Sequence, residues 1–111
     1  MTLNPGESCL LPTGISVTPE SNEWGGFIFA RSGLAIRHGI TLSNSVGVID
    51  SDYTGEIQVG LVNLGREPYT FRNGDRIAQI CFLPVGRADF SVCGELPETG
   101  RGTAGFGSSG R

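Results

Sequence analysis

Aspartates at 50 and 52, then Tyr53 and Gly55, follow directly on the apolar pair Val48-Ile49 in the run Gly47-Val-Ile49-Asp50-Ser-Asp52-Tyr53-Thr-Gly55-Glu56. An aspartate on a tightly held loop can orient and deprotonate a water, or hold a sugar hydroxyl. An isolated Asp-x-Asp reads more often as an ordinary turn, and Tyr53 pinned beside it shifts that balance only modestly. Three further runs carry groups suited to phosphate. In Ala30-Arg31-Ser32-Gly33-Leu34-Ala35 an arginine and a serine precede a glycine, as a phosphate-contacting loop or helix start requires, although Arg-Ser-Gly is common by chance. In Gly74-Asp75-Arg76-Ile77-Ala78-Gln79-Ile80 the spacing puts Arg76 and Gln79 on opposite faces of one strand. The end of the chain, Arg101 to Arg111, interleaves glycines at 102, 105, 107 and 110 with Phe106, Ser108, Ser109 and two arginines. Such a segment has no apolar period to pack, and glycine loses the most backbone entropy on ordering. Alone it reads as a loose terminus. Its freed N–H groups, hydroxyls and guanidiniums could also wrap phosphates while Phe106 stacks on a flat ring.

The elements that must position these groups are short and β-rich. Runs at Cys9–Leu11, Gly14–Val17, Gly26–Ala30, Glu56–Val62, Tyr69–Phe71, Arg76–Phe82 and Asp89–Val92 lie between turn signals such as Leu11-Pro-Thr-Gly and Arg72-Asn-Gly-Asp. Ile57, Val59 and Leu61 alternate as a half-buried strand does. Helical period is confined to about ten residues at most, below the mean helix, and Ser32–Gly39 reads as one short helix. The expected fold is all-β, a jelly-roll-like sandwich or barrel. Its β domain spans residues 1–95, and a flexible Gly-rich tail spans 96–111.

Composition narrows the function. The 111 residues hold 18 glycines and carry a net charge of −3, which argues against a nucleic-acid-binding protein and leaves a small anion held by local arginines such as Arg31, Arg76 and Arg101. The 3 cysteines, Cys9, Cys81 and Cys93, have no metal-ligand spacing and read as buried free thiols. His38, the 1 histidine, cannot assemble a Ser-His-Asp set and reads as a surface or subunit-contact residue. Trp24 reads as a packing or subunit-contact residue. No apolar run is long enough to span a membrane and no signal-peptide pattern opens the sequence, so the expectation is a soluble, cytoplasmic protein, or a nuclear or mitochondrial one if eukaryotic. A small all-β domain leaves sheet edges to cover, which favours a symmetric oligomer.

Taken in order, Ala30–Ala35, Gly47–Glu56, Gly74–Ile80 and Arg101–Gly110 resemble the second to fifth motifs of the trimeric dUTP diphosphatase (dUTPase) family. Four ordered motifs are far more specific than any one. The resemblance implies a homotrimer with three sites built from neighbouring subunits. It implies Mg²⁺-assisted hydrolysis of dUTP to dUMP and pyrophosphate, which keeps uracil out of DNA. By position Asp50 would activate the water and contact the 3′-hydroxyl, and Tyr53 would exclude a 2′-hydroxyl. A hairpin from about Ile40 to Ile49, with Asn44, Gly47 and Ile49, would read uracil. Arg31, Ser32, Gly33 and Gln79 would hold phosphates. Arg101, Phe106, Gly107, Ser108 and Ser109 would close over the bound nucleotide, and Mg²⁺ would ride on the phosphates and water, with no direct protein ligand. The chemistry is consistent, because a Mg²⁺-bridged triphosphate needs positioning and charge stabilisation more than a potent nucleophile.

Two departures stand out. Ala30 replaces the family's proline. A first motif, A-G-x-D-L, is missing from the sequence, which implies an open edge or exposed apolar face and an incomplete metal-water shell. Alternative functions are a non-catalytic nucleotide-binding or regulatory trimer, an inactive fragment, and the related dCTP deaminase. Asp50-Ser-Asp52-Tyr53 and the tail fit the diphosphatase pattern better than the deaminase.

Overall fold

Alternation at Ile57, Val59 and Leu61 does what the sequence predicts: these side chains are buried, and Val59 and Leu61 belong to the central strand of one of two three-stranded sheets. The computed structural model describes residues 1–110; Arg111, at the end of the tail, lies outside the described residues. In chain order the elements are β1 (Thr2–Leu3), β2 (Ser8–Pro12), β3 (Trp24–Phe29), α1 (Ser32–His38), β4 (Ile40–Leu42), β5 (Gly47–Ile49), β6 (Gln58–Asn63), β7 (Tyr69–Thr70) and β8 (Gln79–Pro84). They form a β1-β7 ribbon and two antiparallel three-stranded sheets, β2-β6-β4 and β5-β3-β8. The sheets do not close into a barrel; the fold is an open sandwich.

One core joins all three sheets. Register places Cys9, Leu61 and Leu42 on one face, and the core draws Ile40, Leu42, Val59 and Leu61 from one sheet, Ile28 from the other, and Leu3 and Phe71 from the ribbon and its end. Full burial of such aliphatic side chains contributes ~1.5–3 kcal/mol each. Among them sits fully buried Asn63, whose amide donates to Leu3 C=O and Glu67 C=O, both at 2.9 Å, and accepts from Gly65 N–H at 2.8 Å. The helix ends at Gly39, left-handed at φ 70°, where an added Cβ would clash with the Gly65 backbone nitrogen. Glycine is therefore required there twice over, by conformation and by space.

Several expectations change. Gly14–Val17 joins no sheet ladder; Ile15 C=O instead accepts from Ile57 N–H at 2.8 Å. Asp89–Val92 has no strand partner, and Phe90 and Val92 are fully exposed. The strand expected from Arg76 starts only at Gln79, so Arg76 precedes it and does not share it with Gln79. The Ile40–Ile49 segment is not a paired hairpin: β4 bonds to β6 and β5 to β3, so the segment crosses between sheets. Buried thiols are not what is found, since Cys81 and Cys93 are exposed and Cys9 is half-buried; all three are free. His38 lies on the surface as expected, its ring 4.9 Å from that of Tyr69. No described helix is long and apolar enough to cross a membrane.

Beyond β8 the chain leaves the body. The radius of gyration is 18.9 Å, against about 13 Å for a compact chain of this length. Residues Gly86 to Gly110 are exposed apart from half-buried Gly105.

Candidate active site

The β5-β3-β8 sheet carries two of the three groups of candidate residues, at its opposite ends. At the C-terminal end of β3 the chain turns into α1, with Arg31 as the residue that caps the helix and Ser32 and Gly33 exposed in its first turn. Gln79 opens β8 opposite Phe29 and donates from its side-chain amide to Ala30 C=O at 2.9 Å. Arg31 donates to Arg76 C=O at 3.1 Å, which ties this turn to the segment ahead of β8. Arg31, Arg76 and Gln79 line a cleft of about 710 Å³, joined there by Arg72. Three arginines and one carboxylate, Asp75, in the lining leave a local excess of positive charge on a chain that is acidic as a whole, which suits an anion.

At the other end, Asp50 follows β5 and lies with Ser51, Asp52, Asn22, Trp24 and Arg87 around a second cavity of about 700 Å³. Tyr53 N–H donates to Asp50 C=O at 3.1 Å, and the Tyr53 hydroxyl donates to Glu56 C=O at 2.8 Å, so the ring folds back over Gly55. A Cβ on Gly55 would come within 2.6 Å of the Tyr53 hydroxyl oxygen, so glycine makes room for that ring. Beside this turn, Asn44, Gly47 and Ile49 line a narrow pocket of about 70 Å³, shaped by the crossing between sheets. Asn44, Gly47, Ile49, Asp50 and Tyr53 thus form one continuous group.

The two groups do not meet within one chain. Register pairs Gly26 with Ile49 and Phe29 with Gln79, and its continuation sets Asp50 level with Gly25. Four residues along the strands and two strand spacings across place Asp50 about 16 Å from Gln79, backbone to backbone. The two cavities share no lining residue. The tail residues form the third group. Arg101, Phe106, Gly107, Ser108 and Ser109 are exposed, with turn hydrogen bonds that stay local, as from Ala104 N–H to Arg101 C=O and Ser108 N–H to Gly105 C=O. Phe106 is fully exposed and left-handed at φ 51°.

Sequence reasoning missed Arg72, Arg87 and Asn22. Arg72 is visible only as part of a turn, and Arg87 follows the last strand with no periodicity to mark it. Among the described residues no group of three or more His, Cys, Asp or Glu side chains is placed to hold a metal ion.

Comparison with known proteins adds identity to this geometry. The dUTPase family model matches residues 1–110. A deoxyuridine 5′-triphosphate nucleotidohydrolase of Desulfitobacterium hafniense (strain DSM 10664 / DCB-2) is 51% identical over 110 residues, covering 99% of this chain and 73% of the relative. The dUTPase of Staphylococcus bacteriophage 80alpha, solved with dUPNHPP, superposes with a TM-score of 0.90 at 24% identity, covering 100% of this chain and 80% of that one. A point-mutant dUTPase from phage phi11 of S. aureus, whose structure describes coordination of a structural Mg(II) ion, gives 0.76 at 20% identity, with 86% and 77% covered. The two solved structures agree with the open jelly-roll-like sandwich, and the family model and the bacterial relative assign the sequence: this chain belongs to the dUTPase family.

Proposed function

We propose that this chain hydrolyses dUTP to dUMP and pyrophosphate in sites shared between copies, with Asp50 as the base. Family membership over residues 1–110 carries the reaction. The separation of Asp50 from Gln79 and Arg31 carries the sharing, because a protomer that holds its base and its phosphate-binding groups at opposite ends of one sheet completes neither site alone. A second copy that brings its arginine cleft to the Asp50 cavity supplies what is missing.

The roles follow from position. Asp50 accepts the proton of the attacking water and contacts the 3′-hydroxyl. Tyr53, held by its bond to Glu56 C=O, lies against the deoxyribose and leaves no room for a 2′-hydroxyl. The pocket beside Asn44, Gly47 and Ile49 receives uracil, where a close backbone rejects a 5-methyl group. Arg31, Ser32, Gly33 and Gln79 hold the phosphates. The tail covers the bound nucleotide, with Phe106 on the base and Arg101, Gly107, Ser108 and Ser109 toward the phosphates, then opens to release product. Mg²⁺ arrives on the triphosphate as part of the substrate and neutralises charge that develops on it.

A homotrimer suits two surfaces that the protomer leaves uncovered. The outer face of β5-β3-β8 presents Val48, Phe27, Cys81 and Leu83 side by side, and Val48 and Leu83 are 60% and 44% exposed. The departing arm exposes Phe90, Val92 and Leu96. The reaction is tested by Mg²⁺-dependent pyrophosphate release from dUTP, with dTTP, dCTP and UTP as controls. Selective release from dUTP is the expected result, and equal release from dCTP or UTP would overturn the reading.

A further inference from the structure

The Asp50–Gly55 turn is held mainly from within, by the Tyr53 N–H and hydroxyl bonds to Asp50 C=O and Glu56 C=O. At the far end of the turn Glu56 accepts from Gly14 N–H at 2.7 Å, while the Asp50–Ser51 end is joined to a distant segment by a side-chain hydrogen bond from the Arg87 guanidinium to Ser51 Oγ at 3.3 Å. The same nitrogen donates to Asn22 C=O at 2.9 Å, in the loop that leads into β3. Arg87 is itself well placed to hold something still. Two residues earlier, Val85 N–H donates to Glu23 C=O at 2.8 Å, and Val85 fills the space beside Gly25, where an added Cβ would lie 2.9 Å from its Cγ1. The root of the C-terminal arm is thereby fixed to the start of β3, and Arg87 extends that fixed point to the turn that carries Asp50. Arg87 also lines the cavity that Asp50 and Asp52 line.

We propose that Arg87 is a positioning residue for Asp50, and that through it the root of the arm and the catalytic turn are mechanically joined. The proposal rests on the reading of Asp50 as the base for dUTP hydrolysis. A base must stand within a fraction of an ångström of the proton it takes, and a displacement of 1 Å costs on the order of 100-fold in rate. Without Arg87 the Glu56 end of the turn keeps its bonds but the Asp50–Ser51 end loses its side-chain tie, so Asp50 samples orientations away from the water. Uracil and phosphate contacts, made outside the turn, stay in place, and only the sugar contacts of Asp50 and Tyr53 loosen with it. The loss therefore falls chiefly on kcat, with a smaller rise in KM. Because the arm that starts at Arg87 leads to Arg101–Ser109, displacement of the arm also reaches Asp50 by the same guanidinium.

The test is a steady-state series on the full chain with dUTP and Mg²⁺: Arg87→Met, Arg87→Lys, Ser51→Ala, the Arg87→Met/Ser51→Ala double variant, and Asp50→Asn. Arg87→Met should lower kcat about tenfold with KM held within about twofold. Ser51→Ala should lower kcat by less, and the double variant should be no worse than Arg87→Met, because both remove one link. Arg87→Lys should recover part of the rate, since the ammonium keeps the charge and the donors but stops short of the position of the guanidinium nitrogen that serves both acceptors. An unchanged kcat in Arg87→Met, additive losses in the double variant, or a loss carried wholly by KM would overturn the proposal, the last making Arg87 a substrate contact. If Arg87→Met fails to fold, Ser51→Ala alone decides: unchanged kcat removes the link. Asp50→Asn separates the two levels. Abolished turnover with retained nucleotide binding keeps the reading beneath the proposal, whereas full turnover removes both.

Discussion

Replacing Gly55 by alanine tests the sugar-facing role of Tyr53 without touching the ring. The added Cβ would stand 2.6 Å from the Tyr53 hydroxyl oxygen, 2.8 Å from Cζ and 3.1 Å from Cε2, where ordinary contact begins at 3.4 Å. Gly55 has no left-handed backbone, so alanine is tolerated by the main chain and the ring must retreat. Tyr53 is 44% exposed and has solvent to swing into, at the cost of its hydrogen bond to Glu56 C=O. That bond is worth about 0.5–1.5 kcal/mol, so the melting temperature should fall by only a few degrees. Specificity should change far more. A packed wall rejects an added hydroxyl by about 100-fold, and a displaced ring forfeits most of that. The ratio of kcat/KM for dUTP over UTP should drop at least about tenfold in Gly55→Ala. Circular-dichroism melting alongside pyrophosphate-release kinetics on both nucleotides reads both quantities. An unchanged dUTP-to-UTP ratio in a folded Gly55→Ala protein would refute the placement of Tyr53 against the sugar.

Other perturbations probe separate parts of the account. Asn63→Ala strips partners from the Leu3 and Glu67 carbonyls and the Gly65 N–H, and should cost about 2–4 kcal/mol in chemical denaturation; a change under about 0.5 kcal/mol would contradict its role as the buried link. Truncation before Arg101 should leave the melting temperature unchanged, because residues 101–110 add nothing to the core, and, if the tail closes over bound nucleotide as proposed, should cut turnover by at least about 100-fold. Burial pushes the Cys9 thiol pKa up, against a smaller lowering by the Leu61 backbone, so less of it is thiolate at neutral pH. Maleimide should therefore label Cys9 slowly and Cys93 fast, with the Cys9 rate still rising at alkaline pH where an ordinary thiol has levelled off; equal rates would contradict that burial.

The legible parts of this sequence were those fixed by local chemistry. The alternation through Ile57–Val62, the turn glycines and the short helix ending at Gly39 each state their structure within a few residues, and the structure keeps them. Four ordered motifs likewise announced the family. What stayed illegible depends on distant partners. Gly14–Val17 and Asp89–Val92 have strand-like composition, but a strand exists only where another strand bonds to it, and nothing local says whether one is near. Arg76 is in a run with strand-like composition, but its strand is limited by where β3 stops offering partners at Phe29. The crossing of Ile40–Ile49 between sheets is also invisible locally, because the same turn would serve a hairpin. Cys81 illustrates the converse: apolar neighbours suggested burial, yet the sheet face it occupies is uncovered in the single chain. Arg87 carries no motif at all, and only the folded contact with Ser51 and Asn22 brings it to notice.

Subunit complementation tests the shared site most directly. Asp50→Asn and Arg31→Met chains, each inactive alone, are unfolded together and reassembled at equal concentration, with mixed assembly verified by native mass spectrometry. If a site takes Asp50 from one copy and Arg31 from another, about a quarter of the sites in random mixtures contain both wild-type residues, and the mixture should regain about that share of wild-type activity. Activity no greater than that of the separate parents, in assemblies shown to be mixed, would contradict a site built between copies.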